Sequence, residues 1–465
     1  MEASIGEEEQ ALINHITRKS YFIFYLLRRD LMADTVPGKA WVVVFCGTAV
    51  NLCLGILYAW SVWAGALIPK DLKMAGQTMT GLNEGWVYLT NAEAATPFSL
   101  CVLIFAVFMI PGGKVQDKIS PKFGAILGGL FLAVGCIVAG VTKSYTGLII
   151  GFGIMGGIGM GFGYAAPTPA ALSWFGPHKR GLIAGLVVGG YGGAALYISP
   201  LAAWLLSSGG ITYSFVTLGI IFAIVVIIAG SQLAKAPPGY VAPAAVVKAG
   251  AAPAKAAGTL VDWNPSEIFS AWQFYALVFM FIGTTQSGLL VIANAAGLLA
   301  TTAKAIPFFA ANAWILASFG GLVNALGRVG TGMYSDKIGR GNAYALNCLV
   351  SAVCLFLMPS IIGAKSVFFL FCAVGIAFWQ YGGGLALMPA FTADFFGPKN
   401  LGMNYGLVFI GWGLGFFMAR LGGSIKDWTG TLDWAFYLSA LVLIAAVLLS
   451  WVTKRPMHVS SGEVR

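Results

Sequence analysis

Long apolar runs recur along this chain and are separated by short polar segments. Each run has about 20 residues or more and is continuously apolar, which is typical of a membrane-spanning helix and not of an alternating barrel strand. The runs occupy 41–68, 94–113, 123–142, 146–172, 181–206, 213–234, 271–302, 306–334, 343–363, 367–392, 402–424 and 434–453. The pattern predicts an all-α membrane protein with twelve transmembrane helices.

The polar segments between these runs predict the domain organisation. Residues 236–257 are rich in Ala, Pro and Gly and predict a flexible linker. The charged N-terminus contains only a short apolar piece, Tyr21–Leu27, and therefore predicts a cytoplasmic tail and no cleaved signal peptide. We predict five units, listed in chain order: an N-terminal tail (1–40), a six-helix bundle (41–235), a cytoplasmic linker (236–270), a second six-helix bundle (271–455) and a C-terminal tail (456–465).

Composition excludes a soluble globular protein. Hydrophobic residues make up 58% of the 465 residues and charged residues 9%, whereas soluble domains are about 25% charged. The net charge of +10 does not indicate nucleic-acid binding, because cytoplasmic loops of membrane proteins are enriched in Lys and Arg. Alternate loops contain most of these basic residues: Lys114, Lys118, Lys122, Lys179, Arg180, Lys337, Arg340 and Lys399. We therefore predict a multi-pass plasma (inner) membrane protein with both termini in the cytoplasm.

Cysteine spacing gives no sign of a metal site. The seven cysteines occur singly inside apolar runs, so they are interpreted as small buried residues. No span contains a nucleophile–base pair or a phosphate-binding glycine loop either. We therefore expect no cofactor, no metal and no enzymatic activity.

The two halves of the chain resemble each other at an offset near 220 residues. Gly113–Lys118 returns as Gly332–Lys337, Phe175-Gly-Pro returns as Phe396-Gly-Pro, and Gly190-Tyr-Gly returns as Gly411-Trp-Gly. Three ordered matches at equivalent loops and helices indicate two parallel six-helix pseudo-repeats, the signature of the major facilitator fold.

The first of these repeated segments is a loop motif, Gly-x3-Asp-Lys/Arg-x-Gly-Arg, that resembles one of the same superfamily. Five residues of the motif are candidates for a conformational latch: Asp117, Lys118, Asp336, Lys337 and Arg340. The first copy departs from the motif after Ile119, where Ser and Pro follow. The latch interpretation has these charges pair with neighbouring helix ends; the alternative is that they are solvated loop charges.

Arg328 is the charge that the sequence places deepest in the membrane. It lies eight residues before Asp336, hence about 12 Å deep at ~1.5 Å per residue. A buried cation with no acid at mid-depth points to an anionic partner, and a guanidinium holds a carboxylate with two parallel hydrogen bonds. Backbone carbonyls as its partners are the alternative. The missing acid argues against a protein-borne proton carrier, which leaves exchange, facilitated movement or a proton carried by the substrate open.

Aromatic residues lie at similar depths in five other spans. They are Tyr58, Tyr164, Tyr191, Tyr381 and Trp412. Each alone is more readily a packing residue, but together their hydroxyl and indole donors form a plausible enclosure for a small polar anion.

These motifs resemble the oxalate/formate antiporter family of the major facilitator superfamily over residues 41–455. The segments that carry the resemblance are Gly55–Ser61, Trp174-Phe175, Lys179–Gly181, Pro237–Tyr240, Asn324–Arg328 and Pro389–Gly397. The resemblance implies that Arg328 matches the arginine that meets the substrate dianion in the family's oxalate exchanger. It also implies that Trp412 stands where that exchanger has a second cation, a lysine.

This departure changes the expected substrate. One cation suits a monocarboxylate such as formate, lactate or pyruvate, because a second buried carboxylate would stay unpaired. Proton-linked monocarboxylate transporters, a related comparison, have an acid at the position of Asn324, which cannot hold a proton. The comparison therefore extends to the substrate class and not to the coupling.

The sequence thus predicts a secondary transporter of small carboxylate anions, most simply monocarboxylates, that works by alternating access as a monomer in the lipid bilayer. The predicted substrate-binding residues are Tyr58, Tyr164, Tyr191, Asn324, Arg328, Tyr381 and Trp412. Three alternatives remain: an oxalate/formate-type dicarboxylate exchanger, a carrier of sugars or drugs, and a transporter-like nutrient sensor.

Overall fold

The computed structural model describes residues 36–175, 180–242, 262–397 and 400–456. Within these ranges twelve helices cross the bundle, and several of them are interrupted by short irregular turns. They are α1 (Gly38–Leu67), α2 (Asn91–Lys118), α3 (Pro121–Val141), α4 (Tyr145–Leu172), α5 (from Arg180), α6 (to Ser231), α7 (Trp272–Thr302), α8 (Trp314–Ile338), α9 (Arg340–Gly363), α10 (Val367–Phe396), α11 (from Leu401 to Thr429) and α12 (Asp433–Val452).

The number of spans follows from length and apolarity together. Ten stretches of the described chain are long and apolar enough to cross a membrane, and one of them, Ile183–Ser231, has 49 residues. It contains both α5 and α6, because Gly210 has φ 80° and ψ −170° and breaks the helix. A Cβ at Gly210 would also lie 2.4 Å from the carbonyl oxygen of Leu82, so only glycine fits this turn. With the 25-residue α8, the predicted twelve spans are confirmed.

Local sequence determines where several helices begin. Thr90 and Glu93 form a capping box at the start of α2, with hydrogen bonds of 3.1 and 2.8 Å. Ser120 accepts a 3.0 Å hydrogen bond from the Phe123 amide, and Pro121 occupies the first turn of α3. The Ser-Pro pair that departs from the loop motif is therefore the start signal of a helix.

Helix packing shows the internal repeat directly. In the first half α2 packs on α4 and α3 on α6; in the second half α8 packs on α10 and α9 on α12. These pairs correspond when the chain is shifted by six helices, so the two predicted six-helix pseudo-repeats are confirmed.

The outer surface of the bundle is apolar. Ile224, Ile228 and Phe356 are among many large hydrophobic side chains that are more than half exposed, which a water-facing surface of this extent would not tolerate. Exposed tryptophans lie near both ends of the spans, and they are Trp272, Trp428, Trp434 and Trp451. Such rings occur at membrane–water interfaces, so the exposed surface matches a bilayer.

An even number of spans brings both ends of the described chain to one side. We call that side, with the ends at Gly38 and Val452, the terminal face, and the other side, with the ends at Leu67 and Asp433, the opposite face. The linker enters and leaves at the terminal face. Tyr240 donates a 3.1 Å hydrogen bond to the carbonyl of Trp174, while residues 243–261 of the predicted linker lie outside the described residues, so its flexibility stays a prediction.

The two halves are in close contact towards the opposite face. The segment Trp60–Leu67 of α1 packs against α7. Ser318 of α8 donates hydrogen bonds of 3.1 and 3.0 Å to the carbonyl oxygens of Ala195 and Leu196 in α5. These contacts join helices of different repeats.

A carboxylate from the second half caps a helix of the first half. Asp427, near the end of α11, accepts hydrogen bonds from the amides of Asn91 (2.9 Å) and Ala92 (2.8 Å) and from Nδ2 of Asn91 (2.8 Å). The N-terminus of α2 combines unpaired amides with the positive end of the helix dipole, so an anion is stabilised there. Asp427 therefore holds the two halves together at the opposite face.

We predict that Asp427→Ala weakens this closure. Loss of an N-capping carboxylate costs about 0.5–2 kcal/mol, so the open population should rise roughly two- to thirtyfold. The measurement is the distance distribution between spin labels placed at the exposed positions Lys73 and Lys304, in a background without native cysteines.

The matched control for this experiment is Asp433→Ala. Asp433 lies in the first turn of α12, within the second half, and its loss should leave the distances unchanged. An unchanged distribution in Asp427→Ala would show that the cap does not contribute to closure.

Candidate functional site

Arg328 is buried between the two halves. Its side chain is 7% exposed and makes three long hydrogen bonds, all with neutral acceptors. Nε donates to Asn324 Oδ1 (3.3 Å), Nη1 to the carbonyl of Val188 in α5 (3.4 Å), and Nη2 to the hydroxyl of Tyr58 in α1 (3.3 Å). Among the described residues no carboxylate forms an ion pair with it, so the guanidinium keeps its full positive charge and unused hydrogen-bonding capacity.

The close approach of α5 to Arg328 requires a glycine. A Cβ at Gly192 would lie 3.0 Å from Nε of Arg328, which is inside normal contact distance. A side chain at this position would push the guanidinium away from α5 by a few tenths of an ångström or more. The Gly-Tyr-Gly segment of α5 thus provides space for the cation next to a tyrosine.

A line of hydrogen bonds extends from Arg328 through the second half. The hydroxyls of Tyr58 and Tyr381 are 3.1 Å apart, and the indole Nε1 of Trp412 donates to Tyr381 at 2.8 Å. All four side chains are buried. Three elements of the second half, α8, α10 and α11, therefore converge on one tyrosine of the first half.

Aromatic rings surround this line of polar groups. Tyr191 contacts both Tyr58 and Tyr164, with ring centroids 5.2 and 5.0 Å apart. Phe105 contacts Trp412 edge-on at 4.8 Å, and Phe409 stacks on the same indole at 5.0 Å. Edge-on contacts of this kind favour a fixed ring arrangement.

A small cavity lies at the centre of these rings. Within the described part of the chain it is lined by Tyr58, Phe105, Tyr164, Tyr191, Arg328, Leu385, Phe409 and Trp412. Four of these residues belong to each half. The cavity volume is about 10 Å³, which is room for about one water molecule. Rings or helices must move before any carboxylate fits.

The repeat is visible in the lining itself. Tyr191 and Trp412 are 221 residues apart, as are Tyr164 and Leu385, and each pair faces the cavity from opposite halves. The site therefore lies on the pseudo-symmetry axis, where transporters of this architecture bind their substrates.

Sequence reasoning identified most of this site but not all. Five predicted residues line the cavity, namely Tyr58, Tyr164, Tyr191, Arg328 and Trp412, while Asn324 and Tyr381 support it through hydrogen bonds. Phe105, Leu385, Phe409 and the Val188 carbonyl were missed. Phe409 precedes Trp412 by three residues, a spacing that places both on one helix face, and this was the available signal. Nothing in the sequence marks a backbone carbonyl.

The predicted latch residues lie far from the cavity, at the terminal-face ends of α2 and α8. Lys118 and Lys337 are exposed, and Nη1 of Arg340 donates to Ser335 at 2.5 Å. The side chains of Asp117 and Asp336 lie outside the described ones, so the latch stays a prediction.

The chemistry available here is anion binding. One guanidinium, phenolic hydroxyls and the Nδ2 of Asn324, a buried donor without a partner, lie close together in an apolar surround. Over the described ranges, no group of three or more His, Cys, Asp or Glu side chains could hold a metal ion.

Comparison with curated proteins reveals relatives over most of the chain. It is 28% identical to the oxalate:formate antiporter of Oxalobacter formigenes over 425 residues, which covers 90% of this chain and 92% of the relative. It is 26% identical to apicoplast pyruvate carrier 1 of Toxoplasma gondii, with coverage of 79% and 80%. It is also 26% identical to the uncharacterized MFS-type transporter YhjX of Escherichia coli, with coverage of 81% and 85%.

Solved structures and a family profile agree on the fold. The xylose transporter XylE of E. coli, in a partially occluded inward-open conformation, matches with a TM-score of 0.63 at 10% identity, covering 90% of this chain and all of that one. The profile of the Major Facilitator Superfamily matches residues 40–379 and, in a second match, 313–464. The chain is therefore a member of the Major Facilitator Superfamily of membrane transporters.

Proposed function

We propose that this protein transports small monocarboxylates, such as formate, lactate or pyruvate, by alternating access. The observation that carries the proposal is Arg328, a buried cation at the interface of the halves whose described partners are all neutral. Burying an unpaired guanidinium is costly. A carboxylate is its best partner, because it forms two parallel hydrogen bonds that offset this cost.

The number of charges at the cavity supports a monoanion. Among the described residues that line it, Arg328 is the only one with a formal charge. A dianion such as oxalate would bring a second carboxylate into a surround of rings and one leucine. The neutral hydroxyl of Tyr58 can contribute a hydrogen bond, but it cannot neutralise that charge.

The relatives support carboxylates as the substrate class. One of them is named for oxalate and formate, and another for pyruvate. Oxalate–formate exchange is therefore the second candidate, and the selectivity experiment below separates the two.

Alternating access fits the position of the cavity. Both halves contribute to its lining, and the halves are held together at the opposite face by Asp427 and Ser318. Movement of one half against the other would release these contacts and expose the cavity. A bound nutrient that is not transported would instead indicate a sensor, so uptake into proteoliposomes and binding to the purified protein should both be measured.

We further propose that the terminal face lies in the cytoplasm of a cell with this chain in its plasma (inner) membrane. A membrane-impermeant amine reagent should label Lys118 and Lys337 only in inside-out vesicles. Lys73 and Lys304, exposed on the opposite face, should react only in right-side-out vesicles, as the internal control. The reverse pattern, read by mass spectrometry of the peptides, would invert the topology.

We predict that Arg328→Ala lowers pyruvate uptake at least about 100-fold. Two charge-assisted hydrogen bonds, at about 1.5–3 kcal/mol each, are lost. Arg328→Lys should recover little, because an ammonium group lacks the planar fork of the guanidinium. The measurement is uptake of labelled pyruvate into proteoliposomes that contain equal amounts of protein.

Arg420→Ala is the matched control for the loss of a cation. Arg420 lies in α11, donates to Ser424 at 2.5 Å and does not line the cavity. Its loss should leave uptake within about twofold. Full uptake by Arg328→Ala would eliminate Arg328 as the anchor of the substrate.

We predict that the parent prefers pyruvate to oxalate and that Trp412→Lys shifts this preference towards oxalate by about tenfold or more. A lysine at this cavity position would pair with the second carboxylate and leave an uncompensated cation beside a monoanion. Paired competition by the two anions measures the shift. Strong oxalate preference in the parent would favour the exchange of dicarboxylates instead.

A further inference from the structure

The hydrogen bonds around Tyr58 have a direction that the donors determine. The indole of Trp412 can only donate, so Tyr381 accepts at 2.8 Å. The guanidinium of Arg328 can only donate, so Tyr58 accepts at 3.3 Å. Between these two fixed donors, the Tyr58 and Tyr381 hydroxyls share one hydrogen bond of 3.1 Å, and either hydroxyl is a possible donor.

The two possible directions leave a free hydroxyl proton in different places. If Tyr58 donates to Tyr381, the proton of Tyr381 has no acceptor, and Tyr381 is fully buried outside the cavity lining. A buried donor without a partner costs about 1–3 kcal/mol. If Tyr381 donates to Tyr58, the free proton belongs to Tyr58, which lines the cavity.

The second direction gives the free proton a partner when an anion occupies the cavity. A carboxylate held by Arg328 would lie beside the Tyr58 hydroxyl, since Nη2 of Arg328 is already 3.3 Å from that oxygen. The hydroxyl proton then completes a charge-assisted hydrogen bond to the anion. In this arrangement every fixed donor of the line has an acceptor.

We propose that Trp412 is a positioning residue that acts through Tyr381 to make Tyr58 a hydrogen-bond donor to the bound carboxylate. This inference rests on the proposed function and deepens it. Trp412 donates to Tyr381 and polarises its hydroxyl, which strengthens the hydrogen bond that Tyr381 donates to Tyr58, and Tyr58 keeps its own proton for the anion. Three neutral side chains, Trp412, Tyr381 and Tyr58, thus supply a second contact to the anion beside the cation of Arg328.

The line also explains why Trp412 needs both its ring and its N–H. The ring is held between Phe105 and Phe409, with centroids 4.8 and 5.0 Å away, and this directs Nε1 at Tyr381. Phenylalanine at this position would keep an aromatic packing partner but remove the donor. The two roles of the residue can therefore be separated.

A double-mutant cycle tests the proposal. Pyruvate binding to the purified full-length protein is measured by calorimetry for the parent, Trp412→Phe, Tyr381→Phe and the double variant. Each single change should raise Kd about tenfold, the effect of about one hydrogen bond to a charged group. Because both changes break one line, the double variant should be no weaker than the weaker single variant.

The matched control is Trp86→Phe. Trp86 is equally buried and donates its indole N–H to the Thr212 hydroxyl at 3.0 Å, away from the cavity. Its loss should leave Kd unchanged. If Trp412→Phe does not fold, Tyr58→Phe replaces it in the cycle, and Tyr381→Phe should then have no further effect in the Tyr58→Phe background.

The outcomes separate this inference from the proposed function. Binding by the parent that requires Arg328, combined with additive effects in the cycle or no effect of Trp412→Phe, overturns the inference and leaves the proposed function intact. Absence of Arg328-dependent binding of pyruvate, lactate and formate by the parent overturns both. A loss of packing alone would persist in the Tyr381→Phe background, so the non-additive result supports the proposal.

Discussion

The burial of one guanidinium between two helical bundles is the constraint on which the rest of the site depends. A charge in the apolar interior is expensive unless hydrogen bonds compensate it. Arg328 obtains them from Asn324 on its own helix and from Val188 and Tyr58 of the other half. The compensation is weak, since the distances are long and the acceptors neutral. In the closed arrangement, which excludes water, an anion would therefore stabilise the cation further.

The contact between the halves at the opposite face is stabilised in the same way, but its charge is an anion. Asp427 is a carboxylate at an interface, and the amides of Asn91 and Ala92 at a helix N-terminus compensate it. Backbone dipoles stabilise this charge without a basic partner. Both charges therefore join the halves through neutral groups, which separate at lower cost than a buried ion pair would.

The fold was predictable because it depends on local properties of the sequence. Apolar runs identified the spans, and repeated loop segments identified the two halves. The depth of Arg328 followed from helix rise alone. Contacts across the halves were not predictable in this way, because nothing in the local sequence distinguishes Asp427 from other charges near span ends or Phe105 from other phenylalanines within spans. Their roles depend on which helices face each other, and that is decided by packing over the whole bundle.

For Trp412, the resemblance to a family and the structure provide different information. The resemblance to the oxalate/formate antiporter family implies that a cation would stand at this position, and from the sequence it was possible to infer only what the indole lacks. The structure adds what the indole has, a donor aimed at Tyr381. Substrate must leave the site as readily as it enters, and under the proposed function a second contact made of a neutral hydrogen bond would hold a monoanion without trapping it. One cation supported by one oriented hydroxyl would then be sufficient to bind a small carboxylate reversibly.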